Sequence, residues 1–351
     1  MKINTMTSRL SSWWYGECQS KARLDGKVAI ITGCNTGIGK ETVKDFVKRG
    51  CRVIMACRDL EKANKAAEDI MESIKGVKVE STAEEKKNEA KAEGEIKNEE
   101  SSSAINIGKV EVHQLDLNSL ESVREFAEKM LEKEPRIHLL INNAGIMSCP
   151  KGKTKDGHEV QLGVNHLGHF LLTCLLLHRI CSTPGARIIN VSSMAHRWGN
   201  FDFDDMELEK GSYSPTAAYG RSKLANILFT KSLAKKLEGT GVNVYALHPG
   251  VVSTDLGRHL HSTIIPGASW FYRNVNCFGA KNPVQGAQTT IYCAVDEKTA
   301  NETGLYYSDC KVATPSAKAR DPELAERLWN ESLKMVNLKE DPTLSLPKNT
   351  S

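Results

Sequence analysis

Tyr219 and Lys223 stand four residues apart in AYGRSKLAN (218–226). Ala218, Leu224, Ala225, Ile227 and Leu228 suit a helix, and no proline interrupts the run. The spacing therefore places phenol and amine one turn apart on one helix face. A phenol with a pKa near roughly 10 is a poor base at neutral pH. An ammonium one turn away stabilises the phenolate and brings that pKa down. Such a pair can give a proton to a carbonyl oxygen or remove one from an alcohol. A plainer reading of the same residues is a buried tyrosine with a lysine running past it to solvent. Other motifs in the chain decide between the two.

TGCNTGIG (32–39) follows the apolar run KVAIITG (27–33) and opens the helical IGKETVKDFVKRG (38–50). Gly33, Gly37 and Gly39 give the spacing GxxxGxG. Residues without a Cβ let backbone approach a pyrophosphate and let the helix pack on the strand. The helix N-terminus then offers N–H groups and a partial positive charge to the phosphates. The next apolar run, CRVIMACR (51–58), ends at Arg58, where the adenosine ribose of a dinucleotide would lie. An arginine there suits the 2′-phosphate of NADP, whereas an acidic residue would suit the 2′-hydroxyl of NAD. Asp59 reads as the cap of the following helix, so Arg58, with Lys40, favours NADP(H). Asp116 in LDL (115–117) is placed for the adenine amino group. Asn143, Ala144 and Gly145 of NNAG (142–145) end a further strand beside the coenzyme.

These motifs, in this order and joined by VNHLGHF (164–170), INVSS (189–193) and HPGVVST (248–254), resemble the short-chain dehydrogenase/reductase family over residues 24–310. The longer runs TGCNTGIGKETV, NHLGHFLLT and YGRSKLANILFT resemble its retinol dehydrogenase branch. The resemblance implies a role for each matching residue. Tyr219 and Lys223 match the acid–base pair that also touches the coenzyme. Ser193 matches the residue that hydrogen-bonds the reacting oxygen, and Asn165 the asparagine that supports a water next to the lysine. Pro249, Gly250, Val252 and Thr254 match the loop at the nicotinamide end. Gly33, Asn35, Thr36, Gly37, Ile38 and Gly39, with Asn143, Ala144 and Gly145, match the remaining coenzyme contacts. Taken singly, Ser193 reads equally as a strand-end cap and Asn165 as a buried helix asparagine.

The elements that must position these residues alternate in type. Strand-like runs fall at 27–33, 51–58, 109–117, 138–145, 186–193, 242–250 and 304–308, with helical patterns between them. Apolar strands separated by helices predict an α/β fold. It is a doubly wound, mostly parallel sheet of Rossmann type, one domain with helices on both faces. The expected organisation is an N-terminal extension (1–23), the domain (24–310), a C-terminal helical segment (311–338) and a loose tail (339–351). Residues 77–108, rich in Glu, Lys, Ser and Ala, read as a solvated charged insertion, disordered or loosely helical. HFLLTCLLLHRIC (169–181) reads as a buried helix and is shorter than a membrane span. Residues 255–279 hold Leu256, Leu260, Ile264, Ile265, Trp270, Phe271 and Tyr272. They suit either the lining of an apolar substrate pocket or packing over the sheet edge.

Composition bounds the rest. The 351 residues are 40% hydrophobic and 26% charged with a net charge of +4, too weakly basic and too evenly spread for nucleic acid. Ten cysteines include no CxxC pair, so no metal site is expected and the thiols read as reduced. The N-terminal residues hold no apolar run long enough for a signal peptide, and neither a signal peptide nor a membrane anchor is expected from them. Trp13, Trp14 and Tyr15 suit either a peripheral membrane contact or a patch of the protein's own core. The resulting expectation is an NADP(H)-dependent oxidoreductase interconverting a lipophilic alcohol and its aldehyde or ketone, with retinol and retinal first. A broad carbonyl reductase and a catalytically silent NADP-binding scaffold are the rivals. The expected setting is cytoplasmic, or peripheral on the cytosolic face of an internal membrane; a homodimer is left open. The lack of an evident anchor in these residues and the charged insertion depart from the retinol dehydrogenase pattern and bear on the expected membrane residence and retinoid specificity.

Overall fold

The computed structural model describes residues 15–89, 106–253 and 280–346, with side chains outside 76–89. Eight strands form one sheet in the order β3-β2-β1-β4-β5-β6-β7-β8. They are β1 (Val28–Thr32), β2 (Arg52–Cys57), β3 (Lys109–Gln114), β4 (Leu139–Asn142), β5 (Arg187–Val191), β6 (Asn243–His248), β7 (Leu305–Ser308) and β8 (Lys311–Val312). The first seven are parallel to their neighbours, and β8 runs antiparallel to β7. This is the doubly wound α/β sheet expected from the apolar runs, with one short antiparallel strand added at its edge.

The central strands are buried on both faces, and the period-two alternation of side chains sorts them into two cores. Ile30, Ile54, Leu140, Ile188 and Val244 join one cluster. Ile31, Met55, Ile141, Ile189 and Tyr245 join the other. Helices α1 (Gly37–Lys48), α2 (Leu60–Glu89) and α6 (Pro283–Val295) cover the second face. The first face is covered by α3 (Leu120–Lys133), α4 (Val160–Cys181), α5 (Pro215–Lys236) and α7 (Pro322–Met335). Residues Val160–Cys181 are long and apolar enough to cross a membrane, yet 83% of that window is buried inside the domain. α4 is therefore a core helix, as its composition suggested.

The structure narrows the reading of the charged insertion and corrects that of the C-terminal tail. Helix α2 continues to Glu89, so the charged insertion begins as a helix, in keeping with the Ala, Glu and Lys that favour one. Residues 90–105 lie outside the described residues. At the far end of the insertion, Asn106 donates to Asp25 Oδ1 at 2.8 Å and Gly108 N–H to Val47 O at 2.8 Å. The tail beyond 338 is anchored rather than loose as far as 346. Asp341 accepts from Trp329 Nε1 at 2.8 Å and from Thr343 Oγ1 at 2.6 Å, and Leu346 is buried. Trp329 is fully buried except for an indole N–H that needs an acceptor, and Asp341 is that acceptor.

The N-terminal extension is held along the α1 and α6 side. Arg49 donates to the carbonyls of Ser20 and Ala22, each at 2.9 Å, and Cys18 N–H donates to Gln288 on α6 at 3.1 Å. Trp13 and Trp14 lie outside the described residues, as does the 255–279 loop.

Candidate active site

Most of the candidate residues share one edge of the sheet because they follow the carboxyl ends of its strands, while Asn165, Tyr219 and Lys223 lie on helices α4 and α5. Gly33 follows β1, Arg58 β2, Asp116 β3, Asn143–Gly145 β4, Ser193 β5 and Pro249 β6. The strand order turns back between β1 and β4, the crevice where ligands bind in open α/β sheets.

The glycine-rich turn is built by close approach. Gly33 has φ +60°, and a Cβ there would meet the Ala144 Cβ at 2.6 Å. A Cβ on Gly39 would lie 2.7 Å from Asn143 Nδ2 and 2.7 Å from Cys34 Cα. Thr36 caps α1 in extended conformation without a side-chain hydrogen bond, leaving the first-turn N–H groups directed out of the helix end. Asn143 fastens this turn to β4, donating to Thr32 O at 2.9 Å and Gly33 O at 3.1 Å. Ile38 and Val252 both pack against Gly286 on α6, where a Cβ would come within 3.1 Å of each. Gly39→Ala is expected to lower stability by roughly 1–3 kcal/mol through overpacking and to weaken coenzyme binding. A melting curve with a coenzyme titration checks both; unchanged values would mean the turn relaxes freely.

The cations read as phosphate ligands divide. Lys40 is held by Asp69 on α2 at 2.7 Å, so its charge is already partnered. Arg58 is exposed. Among the described residues it makes no ion pair. Asp59 caps α2 as expected, accepting from Lys62 N–H at 3.1 Å. Asp116 is partly engaged, accepting from Asn118 N–H at 3.1 Å and lying 3.5 Å from Lys155 Nζ.

Tyr219 and Lys223 lie on the buried face of α5. The lysine Nζ sits 5.8 Å from the tyrosine ring centroid and donates to Val191 O at 3.1 Å. Burial brings the Lys223 ammonium down from 10.5 to about 8, which leaves it mostly protonated at pH 7. Asn165 lies in a π-helical turn, Gly163–Leu167, within α4, a local widening that often marks a functional position. Its amide donates to Ile146 O at 2.9 Å and to Ser222 Oγ at 2.8 Å, and accepts from Ile146 N–H at 2.8 Å. A Cβ on Gly145 would stand 3.3 Å from Asn165 Oδ1 and 3.4 Å from Lys223 Nζ. The structure thus brings Asn165, Gly145 and Lys223 to one point.

Ser193 starts the short helical turn Met194–Trp198, and its Oγ accepts from Ala195 N–H at 3.2 Å. This turn rests on α5 through two glycines. A Cβ on Gly199 would strike Gly220 O at 2.6 Å, and one on Gly220 would strike Ala195 O at 2.8 Å. Gly220 follows Tyr219 directly, so backbone-to-backbone contact sets the serine turn against the tyrosine's helix. Pro249, Gly250 and Val252 lie in the loop after β6, and Thr254 falls outside the described residues.

Comparison with known proteins settles the family. A family model described as short chain dehydrogenase matches residues 27–93 and 75–264. Human "Retinol dehydrogenase 13" is 44% identical over 330 residues, covering 92% of this chain and 88% of that protein. The chain belongs to the short-chain dehydrogenase family. Human "Retinol dehydrogenase 14" is 44% identical over 315 residues, covering 90% of this chain and 88% of its own. Among solved structures, an uncharacterized Mycobacterium paratuberculosis protein superposes with a TM-score of 0.66 at 31% identity, covering 92% of this chain and 98% of its own. The Pseudomonas aeruginosa RhlG/NADP complex superposes at 0.57 with 23% identity, covering 81% and 94%, a likeness of fold.

This short-chain dehydrogenase also carries buried supports inside these motifs, at residues to which the sequence reading gave no role. His169 donates through Nδ1 to the Asn165 carbonyl at 3.0 Å and takes the Thr32 hydroxyl on Nε2 at 2.8 Å. Thr32 Oγ1 in turn accepts from the N–H groups of Asn143 and Ala144, at 3.0 and 2.9 Å. The Asn165 carbonyl fixes a proton on Nδ1, and Thr32 Oγ1, already accepting two N–H groups, turns its own proton to Nε2, so His169 is the neutral Nδ1–H tautomer; burial brings it down to about 4. Val191 O accepts from Asn226 as well as from Lys223, at 3.1 Å each. The one sequence signal for Asn226 is its place three residues after the lysine on the same face.

Proposed function

We propose that this oxidoreductase interconverts a lipophilic alcohol and its aldehyde or ketone with NADP(H), with retinol and retinal as the first substrate pair. The observation that carries the reading is the buried Lys223 ammonium one turn from Tyr219, beside Asn165 and at the strand edge where the coenzyme cleft opens. The names of the curated relatives supply the retinoid choice.

In this reading the Gly33–Gly39 turn and the Pro249–Val252 loop would hold the coenzyme, which when bound would supply or accept the hydride. Tyr219 holds the proton at its hydroxyl oxygen, giving it to the substrate oxygen in reduction and receiving it in oxidation. Lys223 stabilises the phenolate left behind. Ser193 holds the substrate oxygen as charge develops on it. Asn165 fixes the Ile146 peptide and, through it, the wall opposite the lysine. NADP(H) rather than NAD(H) rests on Arg58, a cation at the end of β2 with no ion pair among the described residues.

Rates with retinal and NADPH, set beside a panel of aldehydes, ketones, steroids and alcohols with either coenzyme, test the substrate. Coenzyme binding without turnover on any member would leave a silent scaffold instead. Arg58→Ala is expected to weaken NADPH at least tenfold while leaving NADH nearly unchanged. That is about 1.4 kcal/mol, a modest value for one charge-assisted contact. Equal dissociation constants for the two coenzymes in the wild type would overturn the NADP(H) assignment. The reading extends to a cytosolic setting with peripheral membrane contact through Trp13 and Trp14, which co-sedimentation with phospholipid vesicles measures.

A further inference from the structure

We propose that His196 and His248 are positioning residues for Ser193, holding the turn that carries it from both sides. The inference rests on the active-site reading above and adds to it the means by which the serine is aimed.

Three hydrogen bonds define the arrangement. Met194 N–H, the first donor after Ser193, donates to His248 Nδ1 at 3.2 Å. His196 Nδ1 donates to the Ser193 carbonyl at 2.7 Å. Ser316 N–H donates to His196 Nε2 at 3.1 Å. Backbone N–H groups only donate and carbonyls only accept, so the main chain dictates both tautomers. His248 has an unprotonated Nδ1, and His196 carries its proton on Nδ1. Each imidazole must be neutral to fill its role, since a protonated ring has no acceptor nitrogen.

The surroundings keep them so. His196 is buried, with Tyr306 edge-on at 5.2 Å between ring centroids. Burial first, then the Lys281 charge, bring His248 down to about 4, with Asp309 opposing and Arg197 adding a little. Burial likewise lowers His196, helped by Arg197 and opposed by the Ser193 carbonyl.

The two rings tie the serine turn to different parts of the fold. His248 ends β6 and precedes Pro249 and Gly250, so it couples the Ser193 peptide to the loop assigned to the nicotinamide. His196 couples the same peptide to the segment after β8 that leads to α7. Ser193 Oγ already accepts from Ala195 N–H within this turn, so a rotation of the 193–194 peptide would swing the hydroxyl away from the reacting oxygen. Gly220 supports the turn from beneath; the histidines fix its rotation.

The test compares each histidine changed to Leu, which removes the polar atoms, and to Asn, which keeps one polar group near the Nδ1 position. NADPH reduction of retinal, or of the fastest carbonyl in the panel, gives kcat, and fluorescence quenching gives the NADPH dissociation constant. His248→Leu and His196→Leu should each lower kcat about tenfold, the scale of one lost oriented hydrogen bond. NADPH binding should stay within about threefold of wild type, and the Asn variants should recover most of kcat. In a Ser193→Ala background, either Leu change should cost less than about twofold, because the histidines act through the serine.

Unchanged kcat in folded Leu variants overturns the proposal, as does Asn performing no better than Leu. So does a full further loss in the Ser193→Ala background. If a Leu variant fails to fold, its Asn counterpart decides: kcat within a few-fold of wild type supports the role, and a tenfold loss overturns it. Wild-type turnover in Ser193→Ala alone would instead refute the active-site reading, and this assignment with it.

Discussion

Tyr219→Phe lowers kcat by roughly 10²–10⁴, the usual contribution of a positioned proton donor. This corresponds to about 2.7–5.4 kcal/mol of transition-state stabilisation. The substitution keeps the ring that packs at 5% exposure and removes one hydroxyl. Folding and coenzyme binding are therefore expected to survive. The double change with Lys223 should be little worse than either alone, since a phenol and the ammonium that tunes it act as one unit. The measurement is kcat beside the NADPH dissociation constant. Near-normal turnover with intact coenzyme binding would mean that YGRSK is only a helix face and that the chemistry lies elsewhere.

Lys223→Met has the second large effect, and it moves activity and stability in opposite directions. The rate falls by roughly 10²–10⁴, as for the tyrosine. The melting temperature at pH 7 rises by several degrees. Burial lowers the folded pKa of Lys223 from 10.5 to about 8, so the unfolded chain binds its proton more tightly. Between those two values the unfolded state holds the extra proton, and wild-type stability rises with pH across that window. At pH 7, below both, the whole cost of the buried ammonium is present, on the order of 3–4 kcal/mol. The lost bond to Val191 O offsets part of this, about 1 kcal/mol. Methionine fills the same space without charge, so the variant should also lose the rise in stability between pH 8 and 10.5. Melting curves of both proteins at pH 7 and pH 9 check it. A less stable variant at pH 7 would show that the ammonium is better satisfied in the fold than its burial implies.

Part of the coenzyme cleft was read from two cations, and there the sequence was ambiguous. Lys40 and Arg58 both follow the glycine-rich region closely enough to meet a phosphate. Only packing of α1 against α2 reveals that Asp69 takes Lys40. No local rule pairs residues 29 positions apart. The same limit hid the ends of two segments. Apolar content marked β1 to β7, but two residues, Lys311 and Val312, are too few to carry a strand period. The charged run after 75 has the composition of a solvated segment, and composition alone leaves a surface helix and a coil indistinguishable.

What the sequence by itself determined is the layout: alternating strands and helices, the glycine spacing, the one-turn separation of Tyr219 and Lys223, and the family they belong to. These follow from local physics, because hydrophobic period, chain geometry and backbone sterics act over a few residues. What only the tertiary structure decided is the set of contacts that aims those groups. Gly220 seats the serine turn through a glycine 21 positions before it in the chain. His169 reaches Thr32 across 137 positions, and His196 meets Ser316 across 120. Each of these is a single hydrogen bond or a single close approach with no periodic signature. Its partner is fixed by how the sheet stacks its strands, and that order exists only once the chain has folded.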